Sequence, residues 1–188
     1  MKSNGIKSIC LFTIFFVIYS LMASCSVVRF ARYYASSDTD EGKFKGRVYR
    51  SRDTAYSIGV LSEGWKRIDL RGGDIAFWNE ALKATITVNS TCNERIGNEP
   101  LNNLVDSLLV GFSDKELERK EEVTVSGQRA IDTVYRGKVK DTYVKLNIVV
   151  LKKDNCVYDL TYASLPESFD LGIGEFREFV SQFRILKK

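Results

Sequence analysis

Histidine is absent from the 188 residues. That zero removes the commonest general base and the commonest metal ligand from consideration. The usual nucleophile frames are missing too, since neither G-x-S-x-G nor S-x-x-K occurs. No dense Lys/Arg cluster reads as a stripe that tracks phosphates, which leaves nucleic acid without support. No repeat of solenoid length is present. The charge balance is slight, at a formal +4. Cysteine is scarce, with four in the chain.

What is there begins with an address. Lys2 and Lys7 form a short positive region, and Ile9 to Leu21 form an uncharged apolar run of about 13 residues. That length suits a signal segment and falls short of the roughly 20 residues that span a bilayer. The run closes on Leu21-Met22-Ala23-Ser24-Cys25. Small residues directly before a cysteine resemble the bacterial lipobox, in which a signal peptidase cuts ahead of a cysteine diacylated on its sulfur. The expectation is a signal peptide over 1–24 and lipidation at Cys25, with two or three acyl chains giving stable anchoring. Ser26 after the cysteine resembles an outer-membrane address in enteric bacteria. Loss of Lys2 and Lys7 with the leader lowers the formal charge from +4 to +2.

From Cys25 to Gly/Arg-containing residues 46–48 the text reads as a lipidated N-terminus and tether, polar and aperiodic over "ASSDTDEGK". Within it, "VVRFARYY" (Val27–Tyr34) either lies at the lipid surface or packs on the domain. The folded part is placed at 49–188. "DTAYSIGV" and "GWKRIDL" read as short strands, and "DIAFWN" and "ATITVNST" as a hairpin through "EALK". Leu101, Leu104, Val105, Leu108, Leu109 and Phe112 recur at helical spacing, with Pro100 at the start and Gly111 near the end. The period then becomes two. "LERKEEVTV", "QRAIDTVYRGKV", "TYVKLNIVVLK" and "CVYDLTYAS" are separated by "SG", "KD" and "KDN", all favourable hairpin turns. In the third, Val144, Leu146, Ile148 and Val150 point one way and Tyr143, Lys145 and Asn147 the other, as in a strand with one face in solvent. "GEFREFVSQF" closes the chain as a helix with Phe176, Phe179, Val180 and Phe183 inward. Strands, helix, four-strand meander and helix predict an α+β fold with helices laid on an antiparallel sheet.

Candidate chemistry is thin. Asp132 and Asp159 sit inside predicted strands, where aspartate is disfavoured. They offer a carboxylate pair, or else solvent-facing groups or partners of Arg129 or Arg136. "GIGEF" (Gly172–Phe176) reads as the start of a helix and does not complete a dinucleotide fingerprint. "DTDE" (Asp38–Glu41) has part of the alternation of a calcium loop and lacks the rest. Asn89-Ser90-Thr91 is a sequon read as strand residues, and Trp65 and Trp78 read as core or sheet-surface anchors. With Cys10 in the leader and Cys25 lipidated, Cys92 and Cys156 remain. Each lies at a strand end, where they form a disulfide or stay as two buried free thiols.

The segments "YRSRDTAYSIGVLSEGWKRI", "DIAFWN", "VSGQRAIDTVYRG", "VVLKKDNCVYDLTYAS" and "FREFVSQFRI" fall in an order that resembles bacterial lipoproteins of the PsbP family. The resemblance covers roughly Tyr49 to Ile185. It implies the fold of the photosystem oxygen-evolving enhancer protein and the Ran-binding Mog proteins, an α-β-α sandwich around an antiparallel sheet. Members of this fold resemble binding or assembly factors more than enzymes. The resemblance therefore implies no catalytic residue, no cofactor and no metal site. The expected function is a membrane-anchored envelope module that binds an unknown envelope protein. The alternatives are a lipophilic-ligand carrier or transporter accessory, and an enzyme.

Overall fold

A computed structural model describes residues 42–68 and 75–187. The leader, Cys25, Val27–Tyr34 and Asp38–Glu41 lie outside the described residues. Strand pairing begins six residues ahead of Tyr49. β1 (Lys43–Lys45), β2 (Val48–Arg50) and β3 (Ala55–Ser57) form a small antiparallel sheet that β11 (Arg184–Ile185) completes.

The main sheet has seven strands in the order β4-β5-β6-β10-β9-β8-β7. These are β4 (Trp65–Ile68), β5 (Ile75–Asn79), β6 (Ala84–Cys92), β7 (Phe112–Val125), β8 (Gln128–Val139), β9 (Thr142–Lys153) and β10 (Cys156–Ser164). Their pairings are all antiparallel. The meander turns are set by residues that tolerate the left-handed region: Ser126-Gly127 (φ 53° and 71°), Lys140 (56°) and Asp154-Asn155 (51° and 61°).

Among the described residues three helices flank the sheet: α1 (Glu94–Asn98), α2 (Leu101–Leu108) and α3 (Pro166–Ser181). α1 was not legible in the sequence; the Asn93 side chain caps it by accepting from the Ile96 N–H at 2.8 Å. α2 stops short of Phe112, because Leu109 leaves helical geometry and Gly111 turns at φ 82°. Phe112 opens β7, yet still packs in the cluster of Leu104, Val105 and Leu109. β7 is accordingly longer than "LERKEEVTV".

α3 starts at Pro166, so Gly172–Phe176 lies mid-helix and does not open it. Gly172 is there for approach: a Cβ on it would stand 2.4 Å from the Tyr162 hydroxyl. Phe176, Phe179 and Val180 face inward, and Phe183 stays fully buried just beyond the helix.

The sheet is buried on both faces. α3 covers one, with Tyr162, Phe169, Phe176, Phe179 and Phe183 packed on Ile86, Val88, Val149, Leu151 and Leu160. α2 covers part of the other, on Val144, Leu146, Ile148 and Val150. The expectation of a solvent face on β9 therefore fails at Asn147, which is 0% exposed. Period two reported the two faces correctly but not that both are covered.

Candidate functional site

The register decides the question of the two aspartates. Asp132 on β8 stands opposite Val149, whose side chain packs beneath α3. Asp159 on β10 stands opposite Val150, which packs beneath α2. Residues directly opposite share a face, so the two carboxylates point to opposite sides of the sheet. They do not form a pair.

Asp132 is nonetheless the centre of a polar cluster. It is 8% exposed and accepts a hydrogen bond from the Arg119 guanidinium at 2.8 Å. Asn147 donates to the same carboxylate and, at 3.1 Å, to the Thr133 carbonyl. Arg119 also reaches Glu121 at 3.0 Å. Buried charge is tolerated only when paired and hydrogen-bonded, and here the pairing also ties β7, β8 and β9 in one register. Two atoms of the cluster, Asn147 Oδ1 and Arg119 Nε, have no hydrogen-bond partner among the described residues. The arginines named from the sequence do other work. Arg129 pairs with Glu122 at 2.9 Å, and Arg136 lies over the Tyr143 ring at 5.9 Å. Arg119 was missed although the Ser126-Gly127 hairpin carries β7 and β8 in unbroken register from Val125↔Gln128 to Arg119↔Val134, which sets Arg119 diagonal to Asp132 on the same face.

Asp159 accepts from Asn89 Nδ2 at 2.9 Å across the β6–β10 ladder. Asn89 is 5% exposed inside β6, so the sequon belongs to the sheet. At the far end of that ladder Cys92 and Cys156 face each other, with their sulfurs 2.06 Å apart.

A cleft of about 400 Å³ opens where α2 begins, between Pro100, Leu101 and Asn102 on one side and Gln128, Arg129 and Lys152 on the other. Ile131, from the cluster beneath α2, also lines it. Lys152 spans the base of the α1–α2 connection, donating to the Gly97 carbonyl at 2.9 Å and the Glu99 carbonyl at 2.6 Å. The lining mixes apolar, amide and cationic groups, which suits a polypeptide surface better than an oil.

A second carboxylate was unreadable from sequence. Glu175 of α3 accepts from the Ser62 N–H at 2.5 Å and from the Trp65 indole at 2.8 Å. Burial pushes its carboxyl up, but these hydrogen bonds outweigh it and hold the group below its ordinary value. Trp65 is thus an anchor in the core, 7% exposed, whereas Trp78 is half-buried and donates to Glu80 at 2.7 Å. Among the described residues no three metal-ligating side chains converge, and no helix is long and apolar enough to cross a membrane.

No known protein family and no curated protein matches the chain by sequence. Solved structures are similar to it. PsbP (CyanoP) of Synechocystis is 16% identical, with a TM-score of 0.50 over 70% of this chain and 86% of that one. LpqN of Mycobacterium tuberculosis, a protein involved in cell envelope biogenesis, is 11% identical, with a TM-score of 0.55 over 84% and 96%. A protein of Bacteroides thetaiotaomicron is 10% identical, with a TM-score of 0.52 over 71% of this chain and 46% of that one. At such identities the likeness establishes the fold: the chain is an α+β protein of PsbP-like architecture.

Proposed function

We propose that this PsbP-like chain is a lipid-anchored module of the bacterial cell envelope that holds a protein partner and turns over no substrate. The observation that carries the reading is the placement of its polar groups. The two strand carboxylates face opposite sides of the sheet, and Asp132 is occupied by Arg119 and Asn147. Acid–base chemistry needs groups that converge on one reacting atom. The mixed cleft at the start of α2 is the recognition surface, with Leu101 and Ile131 as its apolar contacts and Asn102, Gln128 and Arg129 as its polar ones. Cys25 supplies the anchor, which confines the module to a surface and raises its effective concentration for anything else there. The similarity to LpqN supports an envelope location, and Ser26 suits an outer-membrane one. A lipophilic-ligand carrier needs open volume between helices and sheet. Tyr162, Phe176, Phe179 and Phe183 are each 0% exposed in that space beneath α3, so no observation favours the carrier.

A photo-crosslinking residue in place of Asn102 tests the reading in intact envelopes. The control is the same residue at Leu171, which is 76% exposed on α3. A discrete protein adduct from position 102 and none from 171 is expected. Identical adducts from both positions would defeat it. So would reproducible turnover that vanishes in Asp132→Asn while the fold persists.

A further inference from the structure

β7 is an edge of the main sheet: among the described residues it pairs with β8 alone. Its register with β8 runs unbroken from Val125↔Gln128 to Arg119↔Val134, and the irregularities of the strand all lie ahead of Arg119. Lys120, Glu121, Glu122 and Thr124 of this regular stretch are exposed. A regular, exposed edge is a template for a further strand.

The turn fixes which peptide groups that strand would meet. Ser126 and Gly127 both have positive φ, as in the two-residue hairpin turn whose flanking pair exchanges both of its hydrogen bonds. That pair is Val125 and Gln128. Alternation then directs the peptide groups of Val123, Glu121 and Arg119 at β8, and those of Thr124, Glu122 and Lys120 outward past the edge.

We propose that this edge pairs with the same edge of a second copy, antiparallel about a two-fold axis at Glu121. Outward-pointing residues can face only outward-pointing ones, so a permitted axis passes through one residue and not between two. An axis at Lys120 sets lysine against lysine, and one at Glu122 sets glutamate against glutamate, both destabilising. An axis at Val123 faces no charge with another. The axis at Glu121 sets Lys120 against the second copy's Glu122, and Glu122 against its Lys120, each pair exchanging both main-chain hydrogen bonds. Lys120 has no acidic partner among the described residues, whereas Glu122 already holds Arg129 at 2.9 Å. The two Glu121 carboxylates meet at the axis, and each arrives compensated by its own Arg119 at 3.0 Å.

Such a two-fold stands perpendicular to the sheet and preserves its faces. Both α2 helices, and both clefts beside Arg129, then lie on one face of a continuous sheet, so a paired module offers its partner two contacts at once. A single short ladder is a weak contact in solution. The pairing therefore rests on the surface confinement of the proposed function, which raises the concentration of one copy for another.

The test is oxidation by copper-phenanthroline of full chains in intact envelopes, comparing Glu121→Cys with wild type, Lys120→Cys and Glu122→Cys. Residue 121 would stand opposite itself at a non-hydrogen-bonded site, where Cα atoms approach to about 4.5 Å, within disulfide reach. Residues 120 and 122 would meet their own copies only diagonally, beyond the roughly 7 Å at which a disulfide closes without backbone movement. A dimer linked through residue 121 is expected from the first variant and none from the others. Adding Lys120→Glu should cut its yield about fivefold or more, by facing the second copy's Glu122 with a like charge. No dimer from position 121, equal dimers from all three cysteine positions, a link to a different protein, or a yield indifferent to Lys120→Glu overturns the proposal. Palmitate incorporation, scored on the same chains, tells loss of the anchor from loss of the pairing. Should Glu121→Cys not fold, a carbodiimide that joins Lys120 to Glu122 between isotope-light and isotope-heavy wild-type copies reads the same register, and absence of that mixed link overturns it.

Discussion

Reducing the bond between Cys92 and Cys156 should cost this domain a large part of its stability. The cross-link closes a loop with a sequence separation of 64. In the chain-entropy description a loop of that length restricts the unfolded ensemble by about 4 kcal/mol at 25 °C. For a domain of this size each kcal/mol moves Tm by about 2–4 °C, so the expected fall is about 8–16 °C. Reduction is a cleaner perturbation than substitution, because both side chains stay in the core at 5% exposure for Cys156 and partial burial for Cys92. The thioether proposed at Cys25 would resist the reductant. The assay is thermal unfolding followed by circular dichroism, with and without a phosphine reductant, alongside thiol alkylation of the denatured chain. Without reductant the pair should take up no label, and with it both thiols should. Two thiols that label without reductant would refute the reasoning. So would a Tm that moves by less than about 2 °C once both are free, since that is under 1 kcal/mol.

Gly172→Ala should destabilise by about 1–3 kcal/mol in urea unfolding, because the new methyl meets the Tyr162 hydroxyl and Leu82, 2.4 and 2.9 Å from an ideal Cβ. A neutral or stabilising result, as helix propensity alone would give, would show that the contact relaxes freely. Glu175→Gln should lower stability by about 1 kcal/mol at pH 7, where the carboxylate accepts from Ser62 and Trp65 and is partly open to water. The folded value is depressed below 4.5, so the wild-type advantage is present above that pH and disappears as acid titrates the folded group. A gap that stays constant from neutral pH into strong acid would assign the effect to packing instead. Labelled palmitate should enter the wild-type chain and not Cys25→Ala, which should accumulate uncut; equal labelling would remove the anchor from the proposed function.

The meander was legible almost to the residue. β8 matches "QRAIDTVYRGKV" and β10 matches "CVYDLTYAS", because Ser-Gly, Lys-Asp and Asp-Asn turns announce themselves through residues that accept positive φ. Gly172 and Gly174 misled in the opposite direction. Two glycines weaken helix propensity by about 1 kcal/mol each, yet the aromatic stripe of α3 buried on the sheet prevails over that local cost. The polar cluster was illegible for a different reason. Asn147 looks like a solvent residue in an alternating strand, and only the position of β9 inside a doubly covered sheet, next to β8, makes it a partner for Asp132. Arg119 meets Asp132 diagonally across the regular β7–β8 ladder, a contact that pairing of directly opposite residues does not signal. Glu175 binds residues more than 100 positions away, at Ser62 and Trp65.

The strand order has a kinetic corollary. β4–β6 are joined in sequence by short connections, and so are β7–β10, so each half of the sheet forms from neighbouring segments. The halves meet only where β6 zips against β10, along a ladder from Cys92↔Cys156 to Thr85↔Ala163. Closing that seam brings together segments some 64 residues apart, and it is the step that local hairpins cannot assist. With the cysteines oxidised, the ladder's first rung is already in place and the remaining rungs propagate from it. The oxidised chain should therefore refold faster than the reduced one, while the unfolding rate changes little, and substitutions at Val88 or Leu160 should slow folding more than those at the outer strand β4.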